Sequence, residues 1–345
     1  MPWPHGGSGT EESPYLVNTA DALDDMRDYG GANVYFKTTA EEIDLEDYQA
    51  GEGWVPITMT FAEWDGNGVF LSGLKIDRAV PRQGLFNEYT GDVKDVRVMD
   101  ADVSGSRFQG IFAWRPLTGS NAAGIYISGS ISGQDSGGIF DNDQSDNLYS
   151  ECGSMASVDG ANGRAGGVAR QLFGRCENCF GYGPVTSTVT HNWNAAGFYN
   201  LSGSGTPSPE VTTSIASCPV TQSSGTPAAF GGDNNATRVQ NYYNSDQTDT
   251  DNSYVAGKTY DELKNINTYG DQWDFDDVWF FATLQNLQAL WGNDPGQEAY
   301  DRLPAYVRDL PWLRRLQDVL IYGITPEPEP DPTRKNRPLF FFAGL

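Results

Sequence analysis

A short glycine–hydrophobic motif recurs along this chain at a nearly constant interval, and it limits the possible folds more than any other feature. The intervals between successive copies are 26, 28, 29, 30 and 32 residues. A long period that carries one motif is typical of solenoids, in which each repeat packs only against its neighbours. The copies are Gly84-Leu85-Phe86, Gly110-Ile111-Phe112, Gly138-Ile139-Phe140, Gly167-Val168-Ala169, Gly197-Phe198-Tyr199 and the weaker Ala229-Phe230-Gly231.

Two further series of apolar residues run in phase with this motif. Three apolar sites per period predict three short strands per coil, and therefore an all-β, right-handed parallel β-helix, since crossovers between parallel strands are nearly always right-handed. A β-sandwich would instead show turns about every 8–12 residues without a long period. The two series are Val103, Ile131, Val158, Val185 and Val220, and Val98, Ile125, Cys152, Cys179 and Ile215.

Stacked coils bury side chains that a single coil would leave exposed. Coils lie about 4.8 Å apart, so equivalent inward residues form ladders along the axis. Cys152 and Cys179 share one such ladder, which favours a role as small core residues. Glycines are expected at the corners, where a positive φ or a tight bend is needed. The stretch from Val34 to Tyr254 accommodates roughly eight coils.

The acidic composition narrows the range of partners. The net charge is −24 and the sequence pI is near 4.2, with only six lysines among 22 basic residues. Such a field repels phosphate backbones, so we expect no nucleic-acid partner. Acidic, lysine-poor surfaces are also typical of proteins that work in high salt, where ions screen the self-repulsion. An acidic extracellular or virion surface at ordinary salt is the alternative.

Targeting and metal motifs are weak. No apolar run approaches the roughly 18 residues of a membrane span, so we expect no membrane insertion. Met1 to Tyr15 has neither a basic nor an apolar leader region, so we expect no signal peptide there.

Cys176-Glu-Asn-Cys179 has the spacing of half a zinc site, but Cys152 and Cys218 are distant in sequence. Buried cysteines are the favoured interpretation; a disulfide or a metal site remains open.

Several segments resemble the GLUG-motif family of bacterial and viral β-helix proteins. The resemblance covers about residues 9–280 and implies the fold, because these motifs hold coils together and perform no chemistry. It implies a first strand near Tyr15, a helix capped by Thr19 that closes the stack, and a closing strand at the C-terminal end. The matching segments are Gly9–Val17, Thr19–Met26, Phe36–Leu45, Trp54–Ile57, Trp64–Ile76, Gly84–Phe86 and Trp273–Trp279.

The C-terminal part of the chain has a different sequence pattern from the solenoid repeats. Apolar residues between Gln297 and Tyr322 recur at helical spacing, interrupted by Pro304 and Pro311, which predicts one or two short amphipathic helices. Residues 325–332 form a proline-rich spacer of polyproline type. A hydrophobic tail follows, and three consecutive phenylalanines favour docking onto another chain; packing on its own domain is the alternative. The predicted docking residues are Leu339, Phe340, Phe341, Phe342 and Leu345.

Two candidate sites remain on the solenoid. Asp141, Asp143 and Asp146 offer oxygen ligands at a loop, so calcium is one possible cofactor. They lack the glycine and terminal glutamate of an EF-hand loop, which favours a solvated acidic turn and no cofactor. Receptor contacts are expected on exposed side chains and inserts of the lateral face, since rigid scaffolds carry function on their loops. The candidates are Tyr242, Tyr243, Asn244, Ser204 and Ser224.

These features predict four regions and three classes of function. The regions are a first strand with a capping helix (1–33), a parallel β-helix (34–280), a helical region (281–324), and the spacer with its docking tail (325–345). The favoured class is a virion structural protein, such as a tail fibre, spike or capsid projection, which assembles in the host cytoplasm. We expect this protein to form a homo-oligomer, with a trimer favoured, and to bind other virion proteins through its tail. We also expect it to contact a host surface glycan or glycoprotein. A cell-surface, extracellular adhesin and an enzyme that degrades polysaccharide are the alternatives; no residue set points to catalysis.

Overall fold

The structure is a computed structural model, and it describes most of the chain. Contacts divide the chain into two units, Met1–Trp273 and Asp274–Leu345, and each is described by itself. The described residues are 3–143, 147–188, 195–202, 209–223, 226–231, 236–247, 255–320 and 322.

The first unit is a parallel β-helix, which confirms the predicted fold class. One ladder of register partners joins nine successive strands, each parallel to the next. Its steps are 21 to 35 residues long, so each step is one full coil of chain. The partners are Tyr15, Phe36, Trp64, Val93, Ala122, Tyr149, Cys176, Val211 and Arg238.

Strand length falls along the solenoid. The early coils contain the long strands Ile57–Ser72 and Phe86–Gly105, which bend around corners without interruption. The other strands before residue 144 are Tyr15–Leu16, Tyr35–Lys37, Glu42–Asp44, Lys75–Arg78, Gln109–Gly110, Ala113–Pro116, Asn121–Ala123, Tyr126–Ser132, Ser136–Gly137 and Phe140–Asn142.

Later coils break into shorter pieces. The coil that starts at Leu148 has five pieces: Leu148–Ser150, Gly153–Ser154, Ser157–Gly160, Ala165–Gly166 and Ala169–Leu172. The predicted three strands per coil are therefore further divided by corners. The remaining strands of this unit are Arg175–Glu177, Phe180–Gly181, Val185–Ser187, Ala195–Ala196, Tyr199–Ser202, Glu210–Thr212, Ile215–Ala216, Val220–Gln222, Thr237–Val239, Tyr242–Asn244 and Ala256–Lys258.

The predicted valine ladder is present with the expected register. Each member pairs with the next, and the ladder extends one coil earlier, to Ile76. All six side chains are buried, because β-branched residues on equivalent positions stack directly on one another. The members are Ile76, Val103, Ile131, Val158, Val185 and Val220.

The predicted cysteine ladder needs a correction of register. Tyr126, Gly153 and Phe180 are register partners, so the residues before them, Ile125, Cys152 and Cys179, share one position. Val98 pairs with Ile127 and Ile215 pairs with Phe180, so neither lies in this ladder. The apolar pattern alone did not distinguish neighbouring inward residues beside a corner.

The repeated glycines are needed because successive coils approach closely. A Cβ on Gly138 would lie 2.0 Å from the carbonyl oxygen of Gly167, and a Cβ on Gly167 would lie 2.1 Å from that of Gly197. A Cβ on Gly197 would in turn lie 2.3 Å from the carbonyl oxygen of Ala229. None of these glycines has a positive φ. Each of the three lies in a bend, the second of the two predicted alternatives, and steric contact between coils explains why the position is glycine.

A short helix near the N-terminus follows the predicted cap. The helix Ala20–Asp25 begins at Thr19, whose hydroxyl accepts a hydrogen bond from the Ala22 N–H at 3.1 Å. Leu23 and Met26 are buried beneath it. Other helices of this unit are the 3-10 turns Met26–Asp28, Glu46–Tyr48 and Ile266–Thr268 and the α-helix Tyr260–Leu263.

The second unit mixes helices with a two-stranded antiparallel sheet. Its helices are Leu284–Trp291, Asn293–Arg302 and the 3-10 segment Arg314–Leu320. Within 297–322, helix ends at Arg302 and resumes at Arg314, and the interruption expected at Pro304 and Pro311 spans residues 303–313. The prediction did not include the strand Pro311–Leu313. That strand pairs with Trp279–Phe281. The closing strand implied for Trp273–Trp279 is thus absent up to Val278 in the described structure.

Candidate functional site

The three aromatic and amide residues that we predicted as receptor contacts lie in the core. Tyr242, Tyr243 and Asn244 are 8%, 5% and 2% exposed. The ring of Tyr242 meets that of Tyr269 at 5.2 Å, and the Asn244 amide donates to Ser217 Oγ at 3.0 Å. The predicted exposed contact is therefore wrong for these residues, because the segment before Trp273 covers the last coils.

The remaining predicted contact residues stay predictions. Ser204 and Ser224 lie outside the described residues, and so does the whole docking tail with Leu339, Phe340, Phe341, Phe342 and Leu345.

The candidate calcium loop is buried at both aspartates that the structure describes. Asp141 and Asp143 are both fully buried, so the solvated acidic turn is wrong, while Asp146 lies outside the described residues. Asp143 accepts hydrogen bonds from the backbone N–H groups of Phe173 and Gly174 in the next coil. Burial raises the pKa of Asp143 to about 8 despite these donors. Across the described residues, no group of three or more His, Cys, Asp or Glu side chains could hold a metal ion.

Asp141 belongs to a buried polar network that the sequence analysis missed. Its carboxylate accepts two hydrogen bonds from Arg170, at 2.5 and 2.9 Å, and a further one from the Trp114 side chain. Burial nevertheless raises the pKa of Asp141 to about 6. The Arg170 guanidinium also lies over Phe108, with its Cζ 5.5 Å from the ring centroid. Side chains from three coils are thereby linked.

The four cysteines are free and buried, which confirms their role as core residues. The thiols of Cys152 and Cys179 point to the carbonyl oxygens of Ala122 and Tyr149 in the preceding coil, at 3.7 and 3.5 Å. Burial raises the pKa of Cys176 and Cys179, and that of Cys218 to about 12. Thiolates are the reactive form, so these groups are chemically quiet at neutral pH.

A lateral groove of about 490 Å³ opens on the described surface. Its floor follows three successive coils, because Leu148, Arg175 and Glu210 are register partners. Glu177 and Thr212, which are register partners two residues further along the same strands, also line the groove. Arg175 and Glu177 are exposed, and the groove is open to solvent. It therefore offers charged donors and acceptors to an extended polar chain.

One rim of this groove is a corner with unusual backbone geometry. Equivalent residues of four successive coils have a positive φ, between 44° and 53°. The Thr213 hydroxyl donates to Asn178 Oδ1 at 2.5 Å, and Gln272 lies at the groove's end. Such residues rarely adopt this conformation unless their surroundings hold it. The four residues are Glu151, Asn178, Thr213 and Gln240.

The fold places the first unit among the parallel β-solenoids. A solved structure from Bacteroides ovatus, described as "a putative immunoglobulin A1 protease", superposes with a TM-score of 0.62 and 22% identity. The match covers 79% of this chain and 91% of that chain. At this identity the likeness shows the shared fold alone. A scan against protein-family models found no match.

Two curated proteins match short parts of the sequence. A protein of Evansella cellulosilytica named "Putative Gly-rich membrane protein" is 39% identical over 79 residues, which are 21% of this chain. Halomucin of Haloquadratum walsbyi is 28% identical over 117 residues, or 32% of this chain. The matched parts are 9% and 1% of those proteins' lengths, so the chain spans a small fraction of each relative. No helix in the described ranges is long and apolar enough to cross a membrane.

Proposed function

We propose that the chain is a structural protein of a virion, a fibre, spike or capsid projection that contacts the host surface. The observation that carries this proposal is the nine-strand ladder of parallel coils. Its eight steps of about 4.8 Å form a rigid rod about 40 Å long. A continuous hydrogen-bonded rod holds surface features at a fixed distance from whatever anchors it.

Two further features support this class of protein. The sequence resembles the GLUG-motif family, and that family includes viral β-helix proteins. The hydrophobic tail at 339–345, joined by a proline-rich spacer, suits attachment to another virion protein or to a second and third copy of this chain. In this arrangement the tail anchors the protein and the solenoid presents its lateral face.

We also infer a saline environment. The net charge of −24 and the scarcity of lysine support it, and so does the similarity of 117 residues to halomucin. In molar salt the Debye length falls to about 3 Å, so an acidic surface carries little self-repulsion.

The test is to locate the protein on purified particles. Antibodies against the solenoid, detected by gold labelling in electron microscopy, are expected to mark a tail or capsid surface. Mass spectrometry of gradient-purified particles should find the chain at a constant ratio to the major capsid protein. Particles that lack the chain, with the protein recovered only from uninfected cells, would exclude a virion role.

A cell-surface adhesin is the second candidate, and the match to a relative named as a membrane protein favours it. An adhesin would be found on the envelope of cells that carry no virus. Fractionation of uninfected cells, followed by detection with the same antibodies, separates the two candidates.

A further inference from the structure

Five of the sixteen arginines gather on one edge of the solenoid. The backbone N–H of Arg82 donates to the carbonyl of Arg107 at 2.9 Å. Asp135 accepts from Arg107 Nε at 2.9 Å and from the backbone N–H of Arg164 at 3.2 Å. We name this set the arginine edge; its members are Arg82, Arg107, Arg115, Arg164 and Arg170.

Aromatic rings hold most of these guanidinium groups in place. Arg82 and Arg115 both lie over Trp114, each with its Cζ 4.2 Å from the ring centroid. Arg107 lies over Phe108 at 4.3 Å. A guanidinium that rests on a ring keeps its N–H fork in a fixed plane, so less side-chain entropy is lost when an anion binds.

The backbone at this edge is held in an uncommon conformation. Arg82 has a φ of 71° and Phe108 a φ of 64°. They occupy equivalent corner positions of neighbouring coils, since the next residues, Gln83 and Gln109, form a parallel bridge. Bulky residues rarely adopt a positive φ, and such conformations cluster at functional sites. This backbone conformation places Arg82 and Phe108 next to each other on neighbouring coils.

The charges of the arginine edge are not balanced internally. Three members have carboxylate partners: Arg107 pairs with Asp135, Arg115 with Glu88 and Arg170 with Asp141. Arg82 and Arg164 form no ion pair with any residue that the structure describes, and both are exposed. Five arginines thus face three carboxylates, on a chain whose net charge is −24.

We propose that the arginine edge binds an acidic polysaccharide through its carboxylate or sulfate groups. This inference rests on the proposed contact with a host surface and names the chemistry of that contact. The planar fork of arginine matches a carboxylate or sulfate with two parallel hydrogen bonds. These contacts are short enough to persist in high salt, where longer-range repulsion by the acidic surface is screened.

Charge density favours a polysaccharide over nucleic acid as the ligand. Duplex DNA brings one negative charge per about 1.7 Å, which the surrounding acidic surface opposes strongly. A polysaccharide with one acidic group per one or two sugars brings fewer charges per unit length. Arg82 and Arg164 lie in one column of the edge three coils apart, roughly 14 Å, because the residues after them belong to one register series. Two unpaired arginines at that spacing suit such a sparse pattern of charges.

Binding can be measured with the purified full-length protein immobilised on a sensor. The probes are polygalacturonate as a carboxylated polymer, dextran sulfate as a sulfated one, neutral dextran and a DNA duplex, each at low and at molar salt. We expect one or both acidic polysaccharides to bind at both salt levels, and neutral dextran and DNA not to bind. Whichever acidic polymer binds more tightly identifies the acidic group.

Matched variants assign the binding to this edge. Arg82→Gln should weaken binding about tenfold, the size of one charge-assisted hydrogen bond. Arg82→Lys keeps the positive charge but lacks the planar guanidinium that forms two parallel hydrogen bonds. Its affinity should therefore lie between that of Arg82→Gln and that of the wild type. Arg302→Gln, an equal charge change in the second unit, should bind like the wild type. Circular dichroism establishes that each variant is folded.

Several outcomes would overturn the proposal. These are the absence of binding to both acidic polymers, binding to DNA in their place, an Arg82→Gln/Arg164→Gln variant with unchanged affinity, or an equal loss in Arg302→Gln. None of these results changes where gold labelling finds the protein, so the virion assignment is judged separately.

Discussion

Arg170 donates two hydrogen bonds to the carboxylate of Asp141, which lies one coil earlier, at 2.5 and 2.9 Å. Both side chains are nearly inaccessible to solvent, at 6% and 0% exposure. A buried ion pair of this kind stabilises little over an apolar pair, but the loss of one partner leaves a charge buried without compensation. The pair therefore fixes the register of two coils more than it adds to their stability.

Removal of Arg170 alone should be costly. We expect Arg170→Gln to lower the free energy of unfolding by about 3–5 kcal/mol at pH 8. The loss should be smaller at pH 5, because without Arg170 the pKa of Asp141 rises further and the carboxyl is then protonated. Denaturant unfolding at the two pH values measures this. The double variant Asp141→Asn/Arg170→Gln should recover most of the loss; equal losses in the single and double variants would contradict the pairing.

This pair also shows what the sequence contained and what was overlooked. Asp141, Arg170 and Asn200 each follow directly after one copy of the glycine motif, so one column of the repeat holds them. Reading residues one period apart would have suggested the ion pair. The same periodic reading correctly predicted the ladder from Val103 to Val220.

Other features could not be predicted from the sequence, because they depend on which segment of the chain covers a coil. Tyr242 looks like a surface residue in a degraded repeat, but the rings of Tyr269 and Trp273 pack against it and it is buried. The corner at Glu151 and Thr213 could not be predicted either, since these residue types seldom adopt a positive φ. The arginine edge likewise depends on ring contacts between residues on different coils.

Asp143 should make stability depend on pH. Its folded pKa is about 8 against an ordinary value of 3.8, because burial disfavours the charge. Between these values the folded state keeps a proton that the unfolded state has released, so the contribution of Asp143 to stability is greatest below about pH 4 and falls as the pH rises to about 8. Asp141, at about 6, adds to the fall only in the lower part of this window.

A single variant isolates this effect. Asp143→Asn cannot titrate, so its melting temperature should change less than that of the wild type between about pH 6 and pH 8. Thermal unfolding followed by circular dichroism provides the comparison. The matched control is Asp102→Asn at an exposed position, which should retain the wild-type slope. If Asp143→Asn keeps that slope as well, the buried carboxyl is not the cause.

The close approach of coils at Gly167 predicts strong intolerance to a methyl group. A Cβ there would lie 2.1 Å from the Gly197 carbonyl oxygen, so the coils must separate. We expect Gly167→Ala to cost about 1–3 kcal/mol or more of unfolding free energy. Gly31→Ala is the control, because its Cβ would meet only a methyl group of Val34 at 3.2 Å. Chemical denaturation of both variants checks this; similar stabilities would refute the steric explanation.

Salt should stabilise the protein. Most of the net charge of −24 must lie at the surface, since carboxylates are rarely buried. Raising the salt concentration from about 0.1 M to about 2 M screens the repulsion among these groups. We expect the melting temperature to rise over this range in sodium chloride. A flat or falling melting temperature would argue against adaptation to high salt.

The hydrophobic tail provides the sharpest test of assembly. Residues 326–332 contain four prolines, and the sequence therefore predicts a spacer of polyproline type with a rise of about 3 Å per residue. Burial of Phe340, Phe341 and Phe342 would stabilise a complex by about 1.5–3 kcal/mol each, enough to fix the tail on a partner. Truncation after Ile324 should therefore leave the β-helix folded, with an unchanged circular dichroism spectrum. If the full chain forms the expected trimer in analytical ultracentrifugation, the truncation should abolish it, and it should likewise abolish incorporation into particles. A truncated protein that assembles like the full chain would show that the tail has no docking role.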